Sequence, residues 1–467
     1  MRSTRMALAA RSFSHAPWRR GWSYRRGSLA GEQCAPRMAF TCTAPKAGPQ
    51  AFEVDHSRDA FIVSVARTPN GCFRGKLADF SAPDLGAIAI RAAMHRANFD
   101  PALIDEAFFG NVLSANCGQA PARRAILSAG LPASVVCTTV NKVCSSGLKS
   151  VMFGVNSLNL GYADAVVVGG MESMTNAPYY VKKPKDKMTK EQIIQSLEPG
   201  GLVDGMVMDG LWDPYGAYLM GNIAENLARR MNITREEQDN HATRSYSSAA
   251  RAQSLGNFAN ELVPVYPKDS TAVDGSVNFA ENCEALLSSD EEISNFLRVD
   301  RLPKLNPAFE ENGTITAGNS SKISDGAAAL ILASGAFVKR HNLKPIARVL
   351  SQADVELPPA EYPLAPARVI PVALQRARMD AKDVDYYEIN EAFSAVSIIV
   401  NRMLDLNPAH VNLFGGSVAT GHPIGASGAR ILVTLTSVLR QTSGTIGVAA
   451  VCNGGGGGSA LVIERMS

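Results

Sequence analysis

Two distant stretches of the chain run through the same series of signals. Residues 141–170, NKVCSSGLKSVMFGVNSLNLGYADAVVVGG, give a polar loop, a helix, a turn and a buried strand ending in Gly-Gly. Residues 412–455, NLFGGSVATGHPIGASGARILVTLTSVLRQTSGTIGVAAVCNGG, give a Gly-containing loop, a helix, a polar turn and a strand that again ends in Gly-Gly. Each is also associated with a similar apolar strand, GAAALILAS at 326–334 and GSALVIE at 458–464. Repetition of whole units is most simply two similar halves. Continuous apolar strands alternating with helices predict an α/β fold whose sheet is covered on both faces. Cys144 and His422 then occupy comparable places, at or just before a helix start, and the two helix N-termini are expected to converge on one cleft.

Ordered sequence is expected from near Asp59, where AFIVSVARTP reads as a first strand. The N-terminal half is expected over 59–333 and the C-terminal half over 336–467. An insert at about 176–300, with charged helices and few strand signals, interrupts the first half. Residues 1–50 hold eight Arg and one Lys against the single acid Glu32, the composition of a mitochondrial transit peptide or of a basic disordered arm. With that excess set aside, the formal +3 of the whole chain leaves a mildly acidic body, which has no electrostatic footprint for nucleic acid. No apolar run reaches membrane-spanning length. The eight cysteines are scattered without a CxxC pair, which argues against a structural zinc site and a disulfide framework.

Two of those cysteines have unusual neighbours. Cys144 opens a helix in NKVCSSGLKS, where the helix dipole is expected to lower its pKa; the alternative is a buried structural thiol. Cys452 precedes five consecutive glycines, Gly454 to Gly458. A Gly-rich linker is one reading, but apolar strands on both sides favour a turn that needs positive φ or close backbone approach. His422, between Gly421 and Pro423, is a candidate base to activate a nucleophilic thiol. Asn390, in DYYEINEAFSAV, is either a helix N-cap or an amide that holds a water or an oxyanion.

Taken together, NKVCSSGLKS, GGMESMTNAPY, INEAF, GHPIGASGAR and CNGGGG resemble the thiolase family, from about Asp59 to the end. The resemblance implies a five-layered αβαβα fold of two similar halves with an inserted loop domain. It implies Cys144 as acylated nucleophile, His422 as its base and Cys452 as a second acid/base. Asn390 and His422 would form one oxyanion hole, and the N–H groups of Cys144 and Gly454 the other. REEQD, RSYSSA, ITAGNSS and EYPLAP look like the branch that acts on acetoacetyl-CoA. That branch implies acetyl-CoA C-acetyltransferase activity, with acetyl-CoA, acetoacetyl-CoA and coenzyme A as ligands. It places Tyr246, Ser321 and Met220 along CoA, and potassium on Tyr246, Ala317, Gly318, Ser320 and Val418. Leu219 stands where the family usually has a His beside the pantetheine. The segment at 179–210 is longer than the family needs and falls where a tetramerisation loop is built, so a dimer is expected and a tetramer left open. A longer-chain 3-ketoacyl-CoA thiolase and a catalytically silent acyl-CoA-binding subunit are the alternatives. Decarboxylating ketoacyl synthases and hydroxymethylglutaryl-CoA synthases carry His, Asn or an acid where Cys452 stands, which speaks against them.

Overall fold

The computed structural model describes residues 55–183, 185–195, 201–268, 284–295 and 299–466. The basic leader, Cys34, Cys42, Cys283 and parts of the long segment at 179–210 lie outside the described residues.

The first half runs β1 (Ala60–Arg67), α1 (Ala82–Ala97), β2 (Glu106–Gly110), α2 (Pro121–Ser128), β3 (Val136–Val140), α3 (Ser146–Leu160) and β4 (Ala165–Ser173). An excursion then carries α4 (Met220–Arg230), α5 (Arg235–Ser254) and two short hairpins before β5 (Ser324–Ser334) closes the half. The second half repeats the order: β6 (Ala347–Glu356), α6 (Ala365–Ala377), β7 (Tyr386–Ile389), α7 (Ser394–Leu404), α8 (Ser427–Thr442), β8 (Ile446–Asn453) and β9 (Gly457–Arg465).

Strand pairing makes the repeat explicit. The order is β3-β2-β4-β5-β1 in one half and β7-β8-β9-β6 in the other. In both, a parallel pair is followed by antiparallel neighbours: β2 lies parallel to β4 and β4 antiparallel to β5, as β7 lies parallel to β8 and β8 antiparallel to β9. A single parallel bridge, Tyr387 to Val411, stands in the second half where β3 stands in the first. Within the sheet the halves meet at β1 and β6, where Phe61 pairs with Arg348 and Ile62 with Ala347.

Every residue of β4, β5 and β8 is buried because both faces of these strands are covered. Helices α1 and α2 cover the outer face of the first half, and α6 and α7 that of the second. Between the half-sheets lie α3 and α8, which pack against strands of both halves and against each other. Five layers result. The two central helices approach closely at their first turns because both carry glycine there. A Cβ on Gly147 would lie 2.7 Å from the nitrogen of Ala429, and one on Gly428 would lie 2.4 Å from the nitrogen of Leu148. These are the two helix starts that the repeat predicts to converge. Lys142 and Lys149 of the first half also meet Asp354 of β6, at 2.8 and 2.6 Å.

Candidate active site

Cys144 sits on the turn between β3 and α3, two residues before the helix begins. The residue before it, Val143, has φ of 47°, a left-handed conformation that a β-branched side chain adopts only under constraint. The constraint is visible: the Asn141 side chain accepts the Val143 N–H at 3.0 Å, and Ser145 and Ser146 donate backward to Lys142 and Val143. The turn projects the half-buried thiol into an apolar cluster with Val112, Leu113, Met174 and Ile424.

The glycine run supplies its other wall. β8 and β9 are joined by a tight turn in which Gly455 and Gly456 take φ of 88° and 100°. The run is therefore a structured hairpin and not a linker. The N–H groups of Gly454 and of Cys144 itself lie close enough to the Cys144 sulfur to favour its thiolate. Ser145 donates to Asn453 Oδ1 at 2.8 Å and ties this hairpin to the start of α3.

Cys452 is fully buried in β8, and an ionised Cys144 lies close enough to push it upward. Burial is the larger cause of that shift, which holds the Cys452 thiol protonated. Burial likewise pushes Cys144 up to about 11, with Glu172 adding to it and the two N–H groups opposing. Desolvation acts against the lowering expected of a thiol at a helix start, so an adjacent base serves to make the thiolate.

His422 is buried and neutral: burial first, then the Arg430 cation, lower its pKa to about 3. Its Nδ1 lies 2.5 Å from Ser427 Oγ, which itself donates to the Pro423 carbonyl. That arrangement assigns the proton to Nδ1 and leaves the Nε2 lone pair as a base. Asn390 Nδ2 reaches the same Nε2 at 3.4 Å, and Asn390 Oδ1 accepts from Ser417 Oγ at 2.6 Å. Asn390 is not an N-cap, because α7 begins at Ser394 with Phe393 in the capping place.

Tyr362, Glu391 and Glu172 lie inside the quoted motifs, but the sequence assigns them no role. The Tyr362 ring is buried where both cysteines influence it, and its hydroxyl donates to the Met220 carbonyl at 3.1 Å. Met220 in turn lies against Gly454. Glu391 accepts from Ser245 at 2.8 Å, Asn412 at 2.9 Å and the Val418 N–H at 3.1 Å, and meets His241 at 3.0 Å. Although burial opposes it, these partners hold the Glu391 carboxyl at about 2. Glu172 receives the N–H groups of Val112, Leu113 and Gly425, while burial raises it to about 7. These partners sit far apart in sequence, and nothing in a single stretch announces them.

Leu219 is half-buried in a cleft of about 480 Å³ with Trp212, Tyr218, Asn222 and Arg229. A second cavity, of about 900 Å³, lies on the outer face between α1, α2 and residues 262–268 and includes none of the residues singled out above. Among the described residues no cluster of three His, Cys, Asp or Glu side chains could hold a metal, and no helix is long and apolar enough to cross a membrane.

Comparison with known proteins gives the family of the chain. The family profile "Thiolase, N-terminal domain" matches residues 60–336, and "Thiolase, C-terminal domain" matches residues 343–465. Acetyl-CoA acetyltransferase 1 of Arabidopsis thaliana is 49% identical over 88% of this chain and 95% of its own length. The mitochondrial acetyl-CoA acetyltransferase of Bos taurus is 44% identical over 87% of this chain and 92% of its own. The crystal structure of Acat5 thiolase from Ascaris suum in complex with coenzyme A superposes with a TM-score of 0.78 at 41% identity, covering 87% of this chain and all of that one. With two similar halves in the fold, both family profiles matched and relatives of this identity over most of the chain, the chain belongs to the thiolase family.

Proposed function

We infer that this chain is an acetyl-CoA C-acetyltransferase, which cleaves acetoacetyl-CoA with coenzyme A and runs the condensation of two acetyl-CoA in reverse. The observation that carries the reading is the pairing of Cys144, beside the Gly454 N–H, with a second, protonated thiol at Cys452. The relatives named acetyl-CoA acetyltransferase and the coenzyme A-bound thiolase support the same ligands.

In the cleavage direction His422 Nε2 takes the Cys144 proton, and the thiolate attacks the 3-keto carbon of acetoacetyl-CoA. The N–H groups of Cys144 and Gly454, and the pair Asn390 and protonated His422, are the donors available to the oxyanions; each such donor is worth roughly 3 kcal/mol in related acyl chemistry. The C2–C3 bond breaks, leaving acetyl on Cys144, and Cys452 gives its proton to the departing enolate, which leaves as acetyl-CoA. The Cys452 thiolate next takes the proton of an incoming coenzyme A. That CoA thiolate attacks the acetyl-Cys144 thioester, a second acetyl-CoA departs, and Cys144 recovers its proton from His422. Protons balance over the cycle, and both thiols return to their starting state.

Tyr246, Ser321 and Met220 are taken as the coenzyme A contacts, with Leu219 at the pantetheine end. A homodimer is the expected assembly; β3 is the edge strand of its half-sheet, and Val136 on it is 60% exposed. The basic composition of residues 1–50 and the mitochondrial bovine relative support the mitochondrial matrix as its compartment. The potassium implied by the resemblance does not enter the mechanism. The Ala317 carbonyl that would hold the ion already accepts the ammonium of Lys322, and the Gly318 carbonyl accepts the Tyr246 hydroxyl at 3.1 Å. These residues fit a built-in cation better than a mobile one.

The test is CoA-dependent cleavage of acetoacetyl-CoA by the chain without residues 1–50, beside a longer 3-ketoacyl-CoA and a Cys144→Ala control. Cleavage confined to the short substrate and absent from the control upholds the reading. Equal or faster cleavage of the longer chain moves the enzyme to fatty-acid oxidation.

A further inference from the structure

Residues 316–322 run between the two loops that carry the oxyanion donors. Ser321 donates to the Ala392 carbonyl at 3.1 Å, and Ser394 donates to Asn319, so the segment is stitched to the loop that holds Asn390. At its other end the Lys322 carbonyl accepts the His422 N–H at 2.9 Å. Any group that fixes this segment therefore fixes both Asn390 and His422.

Lys322 is well placed to do so. Its Nζ donates to the Ala317 carbonyl, which closes the segment on itself, and it stands 5.5 Å over the Tyr246 ring. The Tyr246 hydroxyl caps the neighbouring Gly318 carbonyl, and the same ring packs in one apolar cluster with Val418, at the start of the loop leading to His422. The helix at Glu291–Asn295 packs against Ser417–Thr420 and brings the Glu292 carboxylate into the field felt by Lys322 and Tyr246. A primary ammonium is a compact point charge with three donors, and carbonyl oxygens together with an aromatic face suit it as they suit a monovalent metal ion.

We propose that the Lys322 ammonium is a tethered monovalent cation, which holds the Ala317–Ser321 segment in its binding geometry and makes the enzyme independent of potassium. The coenzyme A readout of this proposal rests on the acetyltransferase reading; its melting readout does not.

The experiment uses the full chain at fixed ionic strength in potassium chloride and in choline chloride, and reads the melting temperature and the KM for coenzyme A. For the natural protein both salts give the same melting temperature within about 1 °C and the same KM within about twofold, because no ion binds the folded state selectively. Lys322→Gly, which opens the space, melts lower and has a several-fold higher KM in choline; both recover saturably with potassium. Lys322→Met, whose stem fills the space, does not recover. A saturable rise in melting temperature with potassium in the natural protein overturns the proposal, as does a folded Lys322→Gly variant indifferent to potassium. Should Lys322→Gly fail to fold, the natural protein decides alone: a potassium shift refutes the tethered cation and equal melting upholds it. Absent cleavage with unchanged melting behaviour would sink the acetyltransferase reading and leave the cation proposal standing.

Discussion

Arg430 Nη2 donates to Ser417 Oγ at 2.7 Å, and this contact sets the direction of a buried hydrogen-bond chain that ends on His422. A guanidinium can only donate. Ser417 must therefore turn its own hydrogen to Asn390 Oδ1, which leaves the Asn390 amide hydrogens facing His422 Nε2. Arg430 touches no reacting atom; it positions the groups that do.

Replacing Arg430 by Gln should lower kcat on the order of 10- to 100-fold with little change in KM, the signature of a misplaced donor. The same change removes the cation that helps depress His422, so the acid limb of the pH–rate profile should move to higher pH. A pH profile of kcat/KM for the natural and Arg430→Gln enzymes checks both. An unmoved acid limb would mean that Arg430 acts through folding alone.

Cys452→Ala should still take up acetyl on Cys144 from acetyl-CoA, where a stable CoA thiolate departs, but should be acylated by acetoacetyl-CoA roughly 100- to 10,000-fold more slowly for want of a proton donor to the enolate. Rapid quench with each donor measures this; a variant slowed equally with acetyl-CoA and acetoacetyl-CoA would refute the separate roles.

Glu391 links the fold to acid stability. Its carboxyl titrates near 2 in the folded protein against an ordinary value of 4.5. The stability it contributes is therefore present above about 4.5 and lost as pH falls from there toward 2. Melting temperatures across that window should fall steeply for the natural protein. They should fall less for Glu391→Gln, which starts less stable because Ser245, His241 and the Val418 N–H lose their charged partner.

Gly456→Ala should cost more than about 1 kcal/mol, since alanine is strained at positive φ. The new Cβ would also stand 2.0 Å from the Leu357 carbonyl oxygen. Thermal melting of the variant reads the loss, and an unchanged Tm would show that the hairpin relaxes freely.

The reach of the sequence differs from residue to residue, for physical reasons. Cys144, His422 and Cys452 stand out because the glycine, serine and proline beside them mark close backbone approach, and the repeat pairs the two helix starts. The burial of β4, β5 and β8 is readable because strands covered on both faces need unbroken apolar runs. The roles of Ser417, Arg430, Tyr362 and Lys322 are silent because their partners come from other parts of the chain; Tyr362 meets Met220 across 142 positions. The desolvation of Cys144 is silent for a related reason. A helix start is visible in sequence, whereas the apolar wall formed by Val112, Met174 and Ile424 exists only after folding.

The most direct test of the account is to mix the enzyme with acetoacetyl-CoA without free coenzyme A, quench, and map acetylated peptides by mass spectrometry. The account predicts one acetyl group, on Cys144, discharged as acetyl-CoA when coenzyme A is added. Acetylation of Cys452 with Cys144 unmodified, or cleavage that proceeds undiminished in Cys144→Ala, would contradict it.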